Sequence, residues 1–357
     1  MCHWCQVSCI FRFPAGVHWC CYPPQVVREW RIPLFRCAIH RDVFIVEVKA
    51  TFFVAGFGVE GSLPPEQLAV DGRFQHEYVH CRGLRLHVAT AGDPDAPLVM
   101  CLHSAFGGWF DYLLLIDELV NHGFRVAAVD LRGFGLSDKP PAGRDLRSIA
   151  GDVSSLISAL STTPATVLGA GAGGTIAWTV AAYYPAKVAA LITIAAAHPA
   201  DMWHAAWRQP WSHATPLIRG AVLRLPAAFV ARKAGLLAHL DLLEHAGVNT
   251  TKTSPPLLQQ AQLRRLSAQV AGVPAAMVST ARFELARIPR LWANKPVSCP
   301  VLSIHQGNAT WAAIARQSKK RAPDFTECTT LAGRHLPHML FPEATAAVIA
   351  DFLHRRL

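Results

Sequence analysis

The chain has no stretch of about eighteen uncharged apolar residues, the length that a membrane-crossing helix needs. The nearest candidate, Val43 to Val59, is interrupted by Glu47 and Lys49, so no membrane span is expected. The N-terminus lacks the charged start, continuous apolar core and small-residue cleavage site of a secretory signal peptide, which makes the cytoplasm the expected compartment. Methionine is missing between Met1 and Met100. Acidic residues are in the minority: 24 Asp and Glu stand against 34 Lys and Arg, a formal net charge of +10. Such an excess serves nucleic acid when it is gathered into one run. Along this sequence it is dispersed, its densest groups being Lys319-Lys320-Arg321 and Arg355-Arg356. These read as solvated helix faces, no nucleic-acid motif accompanies them, and no nucleic-acid partner is expected.

With 357 residues and 52% hydrophobic content the chain can bury a large core, enough for one domain with an insertion. Its cysteines are unevenly spread, since six of the ten (Cys2, Cys5, Cys9, Cys20, Cys21 and Cys37) lie in the first 37 residues. Cys2-His-Trp-Cys5 has the spacing of a zinc knuckle, with His18 and Cys20 following. Up to about Gly61, however, the segment has neither helical nor strand periodicity, and no metal site is assigned there. We expect residues 1–65 to be an extension outside the fold. Translation could begin near Val59, and a chain lacking residues 1–58 should still fold.

From about residue 74 short apolar runs alternate with helical segments, the pattern of an α/β sheet with mostly parallel strands. Phe74 to Cys81 and Leu84 to Thr90 read as a hairpin around Arg82-Gly83. Strands are expected at Leu98–His103, Arg125–Asp130, Ala165–Ala170, Ala189–Ala195, Pro300–Gln306 and Phe325–Leu331. Helices are expected at about Phe110–Asn121, Asp145–Leu160, Ala172–Tyr184 and Glu343–Arg356. Between His198 and about Lys295 the alternation gives way to Trp-, Leu- and Ala-rich helical stretches. That divides the chain into a core of residues 70–198 and 296–357 and an inserted helical cap of residues 199–295.

Two loops at strand carboxyl ends, where open α/β sheets place their sites, carry His103-Ser104-Ala105-Phe106-Gly107-Gly108-Trp109 and Asp130-Leu-Arg-Gly-Phe-Gly-Leu-Ser-Asp138. A third turn, Gly169-Ala170-Gly171-Ala172-Gly173-Gly174, joins a strand to a helix. A fourth segment, Ala332-Gly-Arg-His335-Leu-Pro-His338, follows the last strand. In this order the four motifs resemble those of the α/β-hydrolase family, in particular its epoxide hydrolase, haloalkane dehalogenase and esterase branch. The resemblance covers residues 74–357. It implies an eight-stranded, mostly parallel sheet flanked by helices, with the cap inserted after the sixth strand.

The resemblance also implies roles. Residues 169–174 match the nucleophile elbow, a strained turn between strand and helix; its nucleophile position holds Gly171, which cannot attack a carbonyl or an epoxide. His335 takes the general-base position. The acid position after the seventh strand falls on Thr310, which cannot stabilise an imidazolium as a carboxylate does, and Asp201 is a substitute acid in the loop after the sixth. Backbone N–H groups of Ala105 and Ala172 would form the oxyanion hole, with Ser104 replacing the customary glycine. His103, Trp109 and His338 are expected to line the ligand pocket, and Trp203, Trp207 and Trp211 are further candidates. The cap contains no tyrosine to protonate an opening epoxide. No metal and no cofactor are implied.

Three functions follow as expectations. The first is a relative with little or no hydrolase activity that binds a small apolar molecule or a partner protein. The second is a cofactor-free hydrolase or lyase using His335 as general base. The third is dinucleotide binding, since Gly169, Gly171 and Gly174 also satisfy G-x-G-x-x-G; that motif requires an acid at the end of the next strand, where this chain has Ala195-Ala-Ala-His198.

Overall fold

The computed structural model describes residues 60–208, 220–246, 255–285, 295–330 and 336–357, all within the unit Gly56–Leu357. The Cys2, Cys5, His18 and Cys20 group lies outside the described residues. The sheet opens with a hairpin of β1 (Gln75–Cys81) and β2 (Leu84–Ala91). Its two linking residues, Arg82 and Gly83, have φ of 52° and 78°, the pair of positive values that matches the twist of the flanking strands. β2 lies antiparallel beside β4 (Arg125–Val129). Every later pairing is parallel: β3 (Leu98–Leu102) joins β4 to β5 (Ala165–Ala170), followed by β6 (Val188–Ile194), β7 (Val301–Gln306) and β8 (Phe325–Thr330). The strand order is β1-β2-β4-β3-β5-β6-β7-β8. β3 and β5 are buried at every position, as strands covered on both faces must be, which is why they read as continuous apolar runs.

Helices α1 (Leu113–Asn121), α2 (Leu146–Leu160) and α3 (Ala172–Tyr183) fill the crossovers. The carboxylate of Asp145 caps α2 by accepting from the Ser148 N–H at 3.0 Å. The helix expected from Phe110 opens instead as a 3₁₀ turn, Trp109–Tyr112, in which the Trp109 N–H is drawn aside to the Asp130 carboxylate at 3.1 Å. Between β6 and β7 come α4 (Pro199–Arg208), α5 (Ala227–Ala231), α6 (Ala234–Ala246), α7 (Pro255–Ser267) and α8 (Val273–Ala281). α9 (Ala309–Ser318) links β7 to β8, and α10 (Pro337–Leu340) precedes α11 (Pro342–His354), which packs on α1.

The fold starts earlier than its periodic pattern does. The Gly61 N–H donates to the Gln269 carbonyl at 2.7 Å, and a 3₁₀ turn at Pro65–Leu68 buries Leu68 completely. The Leu68 carbonyl in turn accepts the indole N–H of Trp109 at 3.2 Å. Residues 60–65, read from the sequence as part of an extension, are therefore attached to the domain; a Pro-rich turn held by one buried leucine carries no periodic signal. We predict that Leu68→Ala costs about 2–5 kcal/mol in a denaturant titration. An unchanged midpoint would show that this turn is not part of the cooperative unit.

Candidate active site

β5 ends and α3 begins within one residue, Gly171, whose φ of 52° and ψ of −122° favour glycine and are reached by other residues only under strain. Its N–H donates to the Ile194 carbonyl of β6 at 3.0 Å. The turn is tight because its other glycines touch backbone. A Cβ on Gly173 would sit 2.2 Å from the Leu102 carbonyl oxygen and 2.5 Å from that of His103, so the first turn of α3 is seated on the end of β3. Residues 165–170 and 172–182 are all buried, whereas Gly171 is partly exposed. Between Ala165 and Ala182 the tip of the elbow is thus the one residue that is not buried. The N–H groups of Ala105 and Ala172 make no turn, loop or cap hydrogen bond to backbone among the described residues.

The loop after β3 is fixed by its own side chains. His103 is fully buried; its Nδ1–H donates to the Ser104 carbonyl at 2.7 Å and its Nε2 accepts from the Leu131 N–H at 3.2 Å. Burial lowers its pKa, partly offset by Asp130, so a neutral ring joins the β3 and β4 loops. Farther along, the Asp111 carboxylate lies against Gly107, where a Cβ would be 1.8 Å from Oδ2. That carboxylate takes two hydrogen bonds of 2.8 Å from the Arg264 guanidinium of α7. Arg264 also meets Asp241 of α6 at 3.3 Å and the Ser104 hydroxyl at 3.4 Å. Gln260, one turn earlier on α7, donates to the Phe110 and Asp111 carbonyls at 3.1 and 3.2 Å. Arg264 and Asp111 are essentially inaccessible to solvent, so their charges offset each other in a medium that solvates neither.

On the hairpin side, Asp130 is equally enclosed. Its oxygens accept from the Trp109 and Leu136 N–H groups at 3.1 and 3.0 Å and from His87 Nδ1 at 2.9 Å. His87 Nε2 lies 2.8 Å from His76 Nδ1, and His76 Nε2 lies 3.0 Å from the Val70 carbonyl. Burial alone would raise the Asp130 pKa, but the His87 hydrogen bond and charge bring it below the usual carboxylate range. The chain Asp130–His87–His76–Val70 ties the hairpin to the loops above β3 and β4.

The residues expected from the sequence are placed as follows. His335, the general-base candidate, lies outside the described residues, as does Trp211. Thr310 is half-buried in the first turn of α9, behind an Asn308 cap that accepts from the Trp311 N–H at 2.9 Å. Asp201 is buried and committed: Arg321 approaches it to 2.9 Å and the Ser318 hydroxyl to 3.0 Å. It ties α4 to α9, and its oxygens are occupied rather than offered to an imidazole. Trp109 is enclosed by Phe74, His76 and His87, a packing position instead of the expected pocket wall, because its indole N–H must reach Leu68. Trp203 is half-buried against an exposed Trp207. His338 stacks on Tyr112 at 5.1 Å and is fully buried, with neither ring nitrogen hydrogen-bonded among the described residues. Among the described residues no group of three or more His, Cys, Asp or Glu is arranged to hold a metal.

The sequence reading missed Arg264, Asp111, Asp241 and Gln260. An uncharged environment for Asp111 could be suspected from its apolar neighbours Trp109, Phe110 and Tyr112, but its partner is 153 residues away and no local spacing points to it.

Strand order, elbow and loop positions define the class of protein, and comparison with known proteins agrees. The family model for the alpha/beta hydrolase fold matches residues 97–291, more than half of the chain, and the chain belongs to that family. Among curated relatives, an AB hydrolase superfamily protein of Bacillus subtilis is 38% identical over 34% of this chain and 44% of its own length. Epoxide hydrolase 3 of Xenopus tropicalis is 35% identical over 38% of each chain. These matches span less than half of either relative. Epoxide hydrolase A of Mycobacterium thermoresistibile superposes with a TM-score of 0.62 at 18% identity, covering 79% of this chain and 98% of that one. Cfl2 of Burkholderia cenocepacia gives 0.65 at 23% identity over 82% and 98%. At such identities the two structures support the fold alone.

Two predictions follow from the buried charges. Arg264→Leu strands Asp111 without its cation and should cost about 3–5 kcal/mol in chemical denaturation; a loss below 1 kcal/mol, an order of magnitude typical of exposed pairs, would place the pair in solvent. The second concerns acid. Burial, aided by the Arg264 charge, brings the His338 pKa down to about 3. Burial and the Arg321 charge, partly offset by Asp201, bring that of His198 down to about 4. Both rings bind a proton near pH 6.5 once unfolded, so the unfolded state takes up more protons below that pH. Stability is then full above about pH 6.5 and falls toward pH 4, by about 2 kcal/mol per histidine at pH 5. His338→Phe should remove about half of the loss measured in urea titrations between pH 7 and pH 5. An unaltered pH dependence in that variant would contradict the assignment.

Proposed function

We propose that this protein is a hydrolase-fold relative that has lost the covalent hydrolytic route and binds a small apolar molecule above the elbow, with the helices between β6 and β7 serving as its cap. The observation that carries this is Gly171, a hydrogen atom in place of a nucleophile at the partly exposed tip of a turn that keeps the elbow's backbone. Thr310 in place of an acid supports the same reading, as does the engagement of Asp201 by Arg321. With two of three triad positions unable to act, an oxyanion hole and binding alone leave a residual rate of about 10³–10⁴ over water. The kinship to epoxide hydrolases suggests an apolar, ether- or ester-like ligand. Dinucleotide binding is disfavoured because α3's first turn is pressed on the Leu102 and His103 carbonyls and no acid ends β6.

The second reading is that His335 acts as a general base on water or substrate. Its support is the partial exposure of Gly171. The two readings part on one assay. Wild type should turn over short-acyl esters near background, and Gly171→Ser should add little. Thr310→Asp in that background should raise the rate by up to about 10⁴, since the imidazole gains its orienting carboxylate. Gly171→Ser should cost about 1–3 kcal/mol for a non-glycine backbone in this conformation. Wild-type turnover that His335→Ala abolishes would favour the general-base enzyme. A folded double mutant with no gain would count against the elbow geometry itself.

A further inference from the structure

The net charge of +10 is not spread evenly over the elements of the fold. Residues 60–198 and 296–357, which carry the sheet and its flanking helices, hold sixteen Lys and Arg against seventeen Asp and Glu. Residues 199–295, between β6 and β7, hold twelve basic residues against four acidic ones, a net of +8. From Met202 to Leu240 there is no acidic residue at all. The excess that forms no dense run is therefore concentrated in the insertion.

Exposed large apolar side chains follow the same division. Seven of the ten among the described residues lie in this insertion, Trp207 and Phe229 being 61% accessible each. The two properties meet in one stretch, residues 222–233. Leu223 and Val230 are buried and anchor it, while Arg282 of the neighbouring turn donates to the Leu223 and Leu225 carbonyls at 2.8 and 3.2 Å. Held in this way, the stretch leaves Val222, Leu225 and Phe229 exposed together with Arg224, Arg232 and Lys233. Exposing such apolar groups to water is unfavourable by about 25 cal/mol per Å², and soluble surfaces normally scatter them. Apolar side chains interleaved with cations, in a stretch of sequence without an acidic residue, are the composition that lies in a bilayer interface.

We propose that this face of the insertion docks on an anionic lipid surface, with Val222, Leu225 and Phe229 entering the interfacial layer and Arg224, Arg232 and Lys233 meeting headgroup charge. It is a surface attachment, since among the described residues no helix is long and apolar enough to cross a membrane. Each basic residue near such a surface strengthens binding about fivefold, and the attraction decays within a Debye length. An acidic macromolecule would use the cations but leave the apolar side chains in water.

The test is flotation of the full chain with phosphatidylcholine vesicles, with and without phosphatidylserine, at low and high salt. Binding should require phosphatidylserine and weaken with salt. The variant Arg224→Glu/Arg232→Glu/Lys233→Glu should lower the partition coefficient by about a hundredfold or more. Leu225→Ser/Phe229→Ser should leave the salt dependence in place but reduce binding at high salt. Melting curves control for folding, which these exposed positions should not disturb. Absence of flotation with either lipid, equal binding to both, wild-type binding by the charge-reversed variant, or binding to duplex DNA in place of vesicles would each overturn the proposal. None of these outcomes depends on whether the protein turns over an ester.

Discussion

The first turn of α3 approaches the end of β3 so closely that position 173 has room only for hydrogen, and much of the upper edge of the sheet follows from that contact. Because helix and strand meet there, the chain must reverse within a single residue, and Gly171 takes the backbone conformation that accomplishes it. Because the reversal is so abrupt, residue 171 stands clear of the buried residues on either side of it. The same contact sets the elbow next to the β3 loop that carries His103, Ser104 and Ala105. The turn of a nucleophile elbow is present in this chain, and its tip carries only hydrogen.

Around that contact the molecule holds its loops with buried charge. Asp130 gathers the β3 loop, the β4 loop and the β1–β2 hairpin through Trp109, Leu136 and His87. Asp111 does the corresponding work toward the helical insertion through Arg264, which also reaches Asp241 and Ser104. Buried ion pairs of this kind contribute less to net stability than to a unique arrangement of parts, while breaking one is expensive. Their positions suggest that the α7 helix is keyed to the β3 loop by charge recognition, with apolar packing supplying the bulk of the adhesion.

Most of the sheet could be read from the sequence because its central strands are buried on both faces and its turns are marked by glycine: the hairpin at Arg82-Gly83 and the strand Ala165–Ala170 fall where their patterns put them. Gly171 was legible for the same reason, since a strand running into G-x-G-x-G-G has few structural solutions. What stayed hidden was long-range. Trp109 looked like a pocket residue until its indole met the Leu68 carbonyl, and Asp201 looked available until Arg321 was found beside it. Arg264 carried no signal in the sequence, since its partner Asp111 is 153 residues away. The segregation of charge, by contrast, was already in the sequence, because residues 199–295 read as one insertion there and β6 pairs directly with β7 on either side of it.

The central claim is that position 171 supports no covalent intermediate. Intact-protein mass spectrometry of the wild-type chain, quenched after brief exposure to p-nitrophenyl acetate or to an aryl epoxide, tests it directly. The account predicts the unmodified mass in the folded protein and no adduct in the peptides that contain Ser104 or Gly171. A stoichiometric acyl or alkyl adduct mapped to those peptides would contradict it and show that another atom has taken over the nucleophile's place.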